Sequence, residues 1–256
     1  MGNNENWSGR NPRKDELRQR VWSSLVSQGA AKENPFQSIP DFEGSDRAAK
    51  LLTTIPEWHT SKVMMCSPDV PQIPVRFHAL QDGMTVYMAV PKLLDERCFV
   101  ALDKEMIYEQ GGTLAEAATW QGALKLGRYI HFEEMKPVDI SVTGCVAVTK
   151  SGGRTGKGGG FADLEYALMR RYKKISDVTP IITTVHPLMI VDESDLPLQD
   201  HDTYLTMIVT PEEIIRIQID RPQPQIDWKQ VQPDQLASIP ILRRLMKEDN
   251  FSQEIK

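Results

Sequence analysis

Apolar residues recur at a spacing of four near the start of the chain. Within residues 14–28, Leu17, Val21 and Leu25 fall at i, i+4 and i+8 with Trp22 beside them, which predicts an amphipathic helix. Lys14 and Arg18 lie one turn apart beside that face. Residues 29–42 carry Pro35 and Pro40 and read as a loop. Residues 45–54 read as a second helix, with Ser45 as its N-cap. The short apolar run at 62–67 reads as a buried strand, residues 73–80 as a helix, and residues 84–90, after Gly83, as another strand. A β-α-β order this early predicts a parallel sheet.

Further along, residues 98–102 read as a strand and 113–125 as a helix. The clearest strand is 139–148, apolar at nearly every position, as a central strand covered on both faces should be. A glycine-rich loop follows, then a helix through Leu164 and Leu168 with a basic end. Residues 181–185, 207–209 and 214–219 complete the strands. Prolines 222, 224, 233 and 240 then end the regular sheet. The pattern predicts a lead over residues 1–13 that is disordered, one α/β domain over 14–220, and a tail over 221–256 packed on it.

Charge and cysteine content narrow the function. A net charge of −5 argues against a basic nucleic-acid-binding face. Cys66, Cys98 and Cys145 are far apart, so neither a zinc site nor a disulfide framework is expected. No apolar run is long enough to span a membrane, and the first residues lack the apolar stretch of a signal peptide. A cytoplasmic monomer or homodimer that acts on a small molecule is the expectation.

The chemistry concentrates in residues 148–163. Six glycines stand between 148 and 160, with Arg154 and Lys157 among them. A Walker A loop fails, because Ser151 and Gly158 stand where glycine and a hydroxyl are needed. A dinucleotide fingerprint starting at Gly156 fails at Phe161. What remains is a strand, a flexible glycine loop and a helix N-terminus, an arrangement suited to an anion such as phosphate. A solvent-exposed glycine loop with incidental charges is the plainer alternative.

The run Gly153-Arg154-Thr155-Gly156-Lys157-Gly158-Gly159-Gly160-Phe161-Ala162-Asp163 resembles the signature of the 5-formyltetrahydrofolate cyclo-ligase family, roughly G-x-R-L-G-x-G-x-G-Y-Y-D. The helix with Lys14 and Arg18, the segment from Cys66 through Pro91 and Lys92, and Asp202 are similar to further parts of that family. The resemblance implies a Rossmann-like, three-layer α/β/α sandwich with a mostly parallel sheet. It also implies ATP, Mg²⁺ and a reduced folate, with the formyl oxygen attacking the γ-phosphate and N10 closing the ring to 5,10-methenyltetrahydrofolate.

By the same resemblance, Lys14, Arg18, Gly156, Gly158, Gly159 and Gly160 would meet ATP phosphates. Arg154 and Lys157 would offset charge in the transition state, and Asp163 would help to hold Mg²⁺. Gln72 stands where the ligases carry a substrate-contacting glutamate, and Phe161-Ala162 stands where they carry two tyrosines. Leu205-Thr206-Met207 replaces a V-D-E pattern. The nucleotide half is therefore expected to match the family and the pteridine half to differ. The alternatives are a different heterocycle, for example a thiamin-related one, or a non-catalytic nucleotide-binding protein.

Overall fold

Four consecutive buried residues, Val63–Cys66, form β1, the strand that organises the rest. The structure is a computed structural model that describes residues 10–90, 93 and 95–254, with side chains through 249. From β1 the chain passes through α4 (Ile73–Gln81) into β2 (Thr85–Ala89), which pairs parallel to β1 with Met64 opposite Val86. The other strands of the main sheet are β3 (Phe99–Leu102), β4 (Arg128–Ile130), β5 (Ile140–Val142), β8 (Ile181–Thr184), β9 (Met207–Val209) and β10 (Ile214–Arg216).

The sheet order is β10-β9-β8-β5-β1-β2-β3-β4. The strands β9, β8, β5, β1 and β2 are mutually parallel. The edges are antiparallel, β10 on β9 and the pair β3–β4 on β2. Every residue of β1, β3, β5, β8 and β9 is buried, so both faces of the sheet are covered, as the continuous apolar runs require. This is the mostly parallel α/β/α architecture that the sequence predicts.

The helices cover those faces. They are α1 (Pro12–Ser27), α2 (Ser45–Leu52), α3 (Pro56–Thr60), α5 (Lys104–Glu109), α6 (Leu114–Ala118), α7 (Trp120–Leu126), α8 (Phe161–Arg171), α9 (Pro233–Ser238) and α10 (Pro240–Glu254). In α1, Leu17, Val21, Trp22 and Leu25 are all buried. Asn11 caps this helix by accepting from the N–H groups of Arg13 and Lys14, and Pro12 fills its first turn. Pro12 and Arg13 are thus helical rather than part of a lead; residues 1–9, like Pro91 and Lys92, lie outside the described residues.

Local readings that differ share a physical cause: buried apolar residues do not report where the backbone bends. The run 139–148 is not one strand. It leaves the sheet after Val142, passes Gly144, and re-forms as β6 (Ala147–Val148) in a hairpin with β7 (Arg154–Thr155). A Cβ on Gly144 would stand 2.8 Å from Asp69 Oδ2, so any larger residue at that bend would displace the side chains around it. The helix expected at 113–125 breaks at Thr119, whose hydroxyl caps α7. Ser45 is the first residue of α2, not its cap; Gly44 holds the cap position at φ 86°. Beyond β10 the chain turns helical, and Ile239, Ile241, Leu242 and Leu245 join the core.

Candidate functional site

A cavity of about 650 Å³ opens where β1, β2 and β5 end, beside the N-terminus of α8. The carboxyl ends of parallel strands are where such sheets hold ligands. Ser67 and Asp69 line it from beyond β1, Ala89 and Val90 from the last residue of β2 and just beyond it, and Thr143 and Gly144 from beyond β5.

One wall is cationic and comes from α1. Lys14 and Arg18 lie on the same stripe of the helix as its buried apolar residues, so both are carried inward. Lys14 Nζ donates to Asp202 Oδ2 at 2.5 Å, both side chains being buried. Arg18 Nε donates to the Gly156 carbonyl at 2.6 Å, and its Nη2 to Thr155 Oγ1 at 2.8 Å. Burial lowers the pKa of Arg18, and Asp15 opposes that by accepting from Nη1 at 2.5 Å. Asp15 Oδ1 also accepts from Arg10 Nε at 2.6 Å, so one carboxylate aims two guanidinium groups at the glycine loop.

The glycine run divides in two. Gly152 and Gly153 belong to the β6–β7 turn, where the N–H of Gly153 donates to Thr149 Oγ1. Gly156, Gly158, Gly159 and Gly160 line the cavity. Gly158 has φ 110° and lies against Arg10, whose Cζ would be 2.7 Å from a Cβ there. Gly160, at φ 66°, is the N-cap of α8, and no side chain caps that helix. An uncapped helix start directed at a cavity is a ready anion site.

Arg154, on β7, is buried. Its Nη2 donates to Asp163 Oδ1 at 2.6 Å, and that oxygen also accepts from the N–H of Thr203 at 2.9 Å. Burial disfavours the charge on Arg154, but Asp163, Cys145 and other neighbours outweigh it and raise the pKa. Lys157 is half-exposed and reaches Asp69 Oδ1 only at 3.5 Å.

The rest of the lining is of a different character. Phe161, Ala162, Val70 and the exposed Trp120 line it. So do Gln225, Ile226, Gln230, Val231, Gln232 and Gln235 from the C-terminal segment. Gln72 is not among the lining residues: it is fully buried, donates to Thr184 Oγ1 at 3.2 Å, and its Oε1 has no partner. Glu165 does line the cavity and is buried. Desolvation first, and then Asp69, push its carboxyl up to about 8, so it is neutral at pH 7.

With this geometry in place, a match along the chain is decisive: the model of the 5-formyltetrahydrofolate cyclo-ligase family fits residues 10–211. The chain belongs to the 5-formyltetrahydrofolate cyclo-ligase family. It is 32% identical over 242 residues to the methenyltetrahydrofolate synthase domain-containing protein of Bos taurus, covering 92% of this chain and 62% of that protein. The Homo sapiens protein of the same description is 32% identical over 238 residues, covering 91% and 61%. The chain thus spans about three fifths of the length of these curated relatives. In structure it is similar to the NMR structure of Aquifex aeolicus 5,10-methenyltetrahydrofolate synthetase, with a TM-score of 0.51, 16% identity, and coverage of 84% of this chain and 98% of that one. At that identity the likeness speaks for the fold.

Lys14, Arg18, Arg154, Lys157, the four loop glycines, Phe161 and Asp163 therefore meet at one cavity of a cyclo-ligase family member, while Gln72 lies behind its wall. Sequence reading missed Arg10, Asp15, Asp69, Glu165 and the C-terminal lining. Glu165 did leave a signal. It shares a helix face with Phe161, Leu168 and Met169, where a carboxylate is out of place. No helix among the described residues is long and apolar enough to cross a membrane.

Proposed function

We propose that this family member closes 5-formyltetrahydrofolate to 5,10-methenyltetrahydrofolate in an ATP- and Mg²⁺-dependent reaction that releases ADP and phosphate. One observation carries the reading. Two cations of α1, Arg154 of β7 and the uncapped start of α8 converge on one end of one cavity. The residues fit a triphosphate: loop glycines allow close backbone approach, and the surrounding cations are already aimed by Asp15, Asp163 and Asp202.

ATP, when bound, supplies the phosphoryl group that makes the formyl oxygen a leaving group. The chain's own part is positioning and charge neutralisation, which is most of what such a transfer needs. Arg154, fixed by Asp163, neutralises charge at the buried end, and the more exposed Lys157 does so at the open end. Lys14 and Arg18 hold the loop and the phosphates in register. Among the described residues no group of three or more metal-ligating side chains converges, and Asp163 Oδ1 is committed to Arg154 and Thr203. Mg²⁺ is therefore proposed to arrive on the nucleotide, held mainly by its phosphates.

The test is turnover. Protein, Mg²⁺, ATP and 5-formyltetrahydrofolate are mixed, and methenyltetrahydrofolate absorbance and ADP are followed together. Matching product and ADP support the reading. Nucleotide affinity unchanged in both Arg154→Ala and Lys157→Ala would refute the placement of the phosphates. A second reading rests on Phe161 and Ala162, which line the cavity where the family's motif has two tyrosines. ATP binding without turnover would favour a different heterocycle, for example a thiamin-related one. The absence of any ATP-induced rise in melting temperature would favour a non-catalytic protein.

A further inference from the structure

α8 carries a carboxyl where its apolar face should continue. Glu165 is 7% exposed, lines the cavity, and has no side-chain hydrogen bond or ion pair among the described residues. It is not among the side chains whose unpaired polar atoms are sealed from solvent, so its oxygens face the cavity. The charged and titratable groups around it are Asp69 from beyond β1, Arg154 from β7, Lys157 from the glycine loop, Asp163 and Tyr166 from its own helix, and Cys98 beside β3. Both cations already have carboxylate partners, Asp163 for Arg154 and Asp69 for Lys157. Glu165 is the acid left over.

A buried carboxyl without a partner is costly to keep, and a ligand that supplies the partner accounts for it. Phosphate is a poor fit for that ligand, because the carboxylate of Asp69 beside Glu165 would repel it. Glu165 therefore marks where the phosphate end stops. We propose that Glu165 is a specificity-determining residue that binds the amide-like edge of a heterocycle, a carbonyl oxygen beside a ring N–H. Its O–H donates to the carbonyl oxygen and its own C=O accepts from the N–H. The pyrimidinone edge of a reduced folate has this pattern, so the inference rests on the folate reading above and assigns the wall that reads the ring.

The test is equilibrium binding of 5-formyltetrahydrofolate at pH 7 to the wild type, Glu165→Gln and Glu165→Leu, with ATP affinity and melting temperature measured alongside. Glutamine offers the same donor and acceptor, so Glu165→Gln stays within about threefold of wild type. Glu165→Leu leaves the edge unpaired and weakens folate binding about tenfold or more, with ATP affinity unchanged. Glu165→Leu also melts no lower than wild type, since it removes an unpartnered buried acid. Wild-type folate affinity in Glu165→Leu overturns the assignment. So does an equal loss in Glu165→Gln, which would mean an edge of different chemistry. Wild-type protein that binds ATP but no 5-formyltetrahydrofolate overturns the folate reading and the assignment with it. Folate turnover with Glu165→Leu unimpaired overturns the assignment alone.

Discussion

Arg154 Nη2 donates to Asp163 Oδ1 at 2.6 Å, joining a buried strand residue to the first turn of the next helix. The pair closes the glycine loop between its two ends. Asp163→Asn keeps the shape but removes the charge that offsets a buried guanidinium. The expected loss is about 2 kcal/mol of stability, below the full cost of breaking a buried pair because Asp163 is partly exposed. Urea unfolding measures it. ATP affinity falls as well, since Arg154 is then free to turn away.

The loop glycines are not equivalent. Gly156 has ordinary φ and nothing within 4 Å of an added Cβ, whereas Gly158 has φ 110° and Arg10 in the way. Gly156→Ala is expected to unfold within about 0.5 kcal/mol of wild type. Gly158→Ala should cost about 1–2 kcal/mol from backbone strain alone, even if Arg10 moves aside. Equal unfolding free energies for the two variants would refute this account of the loop.

A third relationship lies below the cavity. Arg76 is fully buried and donates to the carbonyls of Ser67, Pro68, Asp69 and Ala118, with no carboxylate in contact among the described residues. Burial lowers its pKa, the Cys66 side chain and Asp69 oppose that, and its carbonyl partners lie just beyond β1 and at the end of α6. Arg76→Lys keeps a cation but cannot fork to these carbonyls. It is expected to cost about 3 kcal/mol and to loosen Asp69, so that Lys157 loses its partner. Chemical denaturation tests the first part, and hydrogen exchange at residues 67–70 tests the second.

These residues show what periodicity could and could not reveal. The parallel core was legible because β1, β5 and β8 are apolar throughout, and α1 because its stripe repeats every four residues. The cationic wall was legible only through the motif, since Lys14 and Arg18 alone resemble a solvated face. The break at Gly144 was hidden, because Cys145, Val146, Ala147 and Val148 are buried in the β6 hairpin just as a continuing strand would be. Asp69 and the glutamines of the C-terminal segment reach the site from positions distant in sequence, which no local pattern records, whereas Asp15 acts on Arg10 and Arg18 within its own helix region and carries no mark that sets it apart from a solvated acid. Gln72 shows the limit of motif transfer, as its position in the run does not bring it to the cavity surface.

Glu165 gives the site a pH signature of unusual sign. Most folded-state carboxyls are depressed, so their stability contribution appears as pH rises. Here burial and Asp69 raise the group to about 8, against an unfolded value near 4.5. Below the unfolded value both states are protonated and the group has no effect. Between about 4.5 and 8 the unfolded chain has released a proton that the native state still holds, so stability falls as pH rises. Above about 8 both states are ionised and the slope ends. Glu165→Gln cannot titrate and lacks this slope. Its unfolding free energy should therefore gain on wild type steadily from pH 5 to pH 8, by on the order of a few kcal/mol in total, and gain no further to pH 9. Urea unfolding of both proteins across that range is the measurement. A gap that stays constant with pH would mean that Glu165 is already ionised in the folded protein, with a partner that pairs its charge.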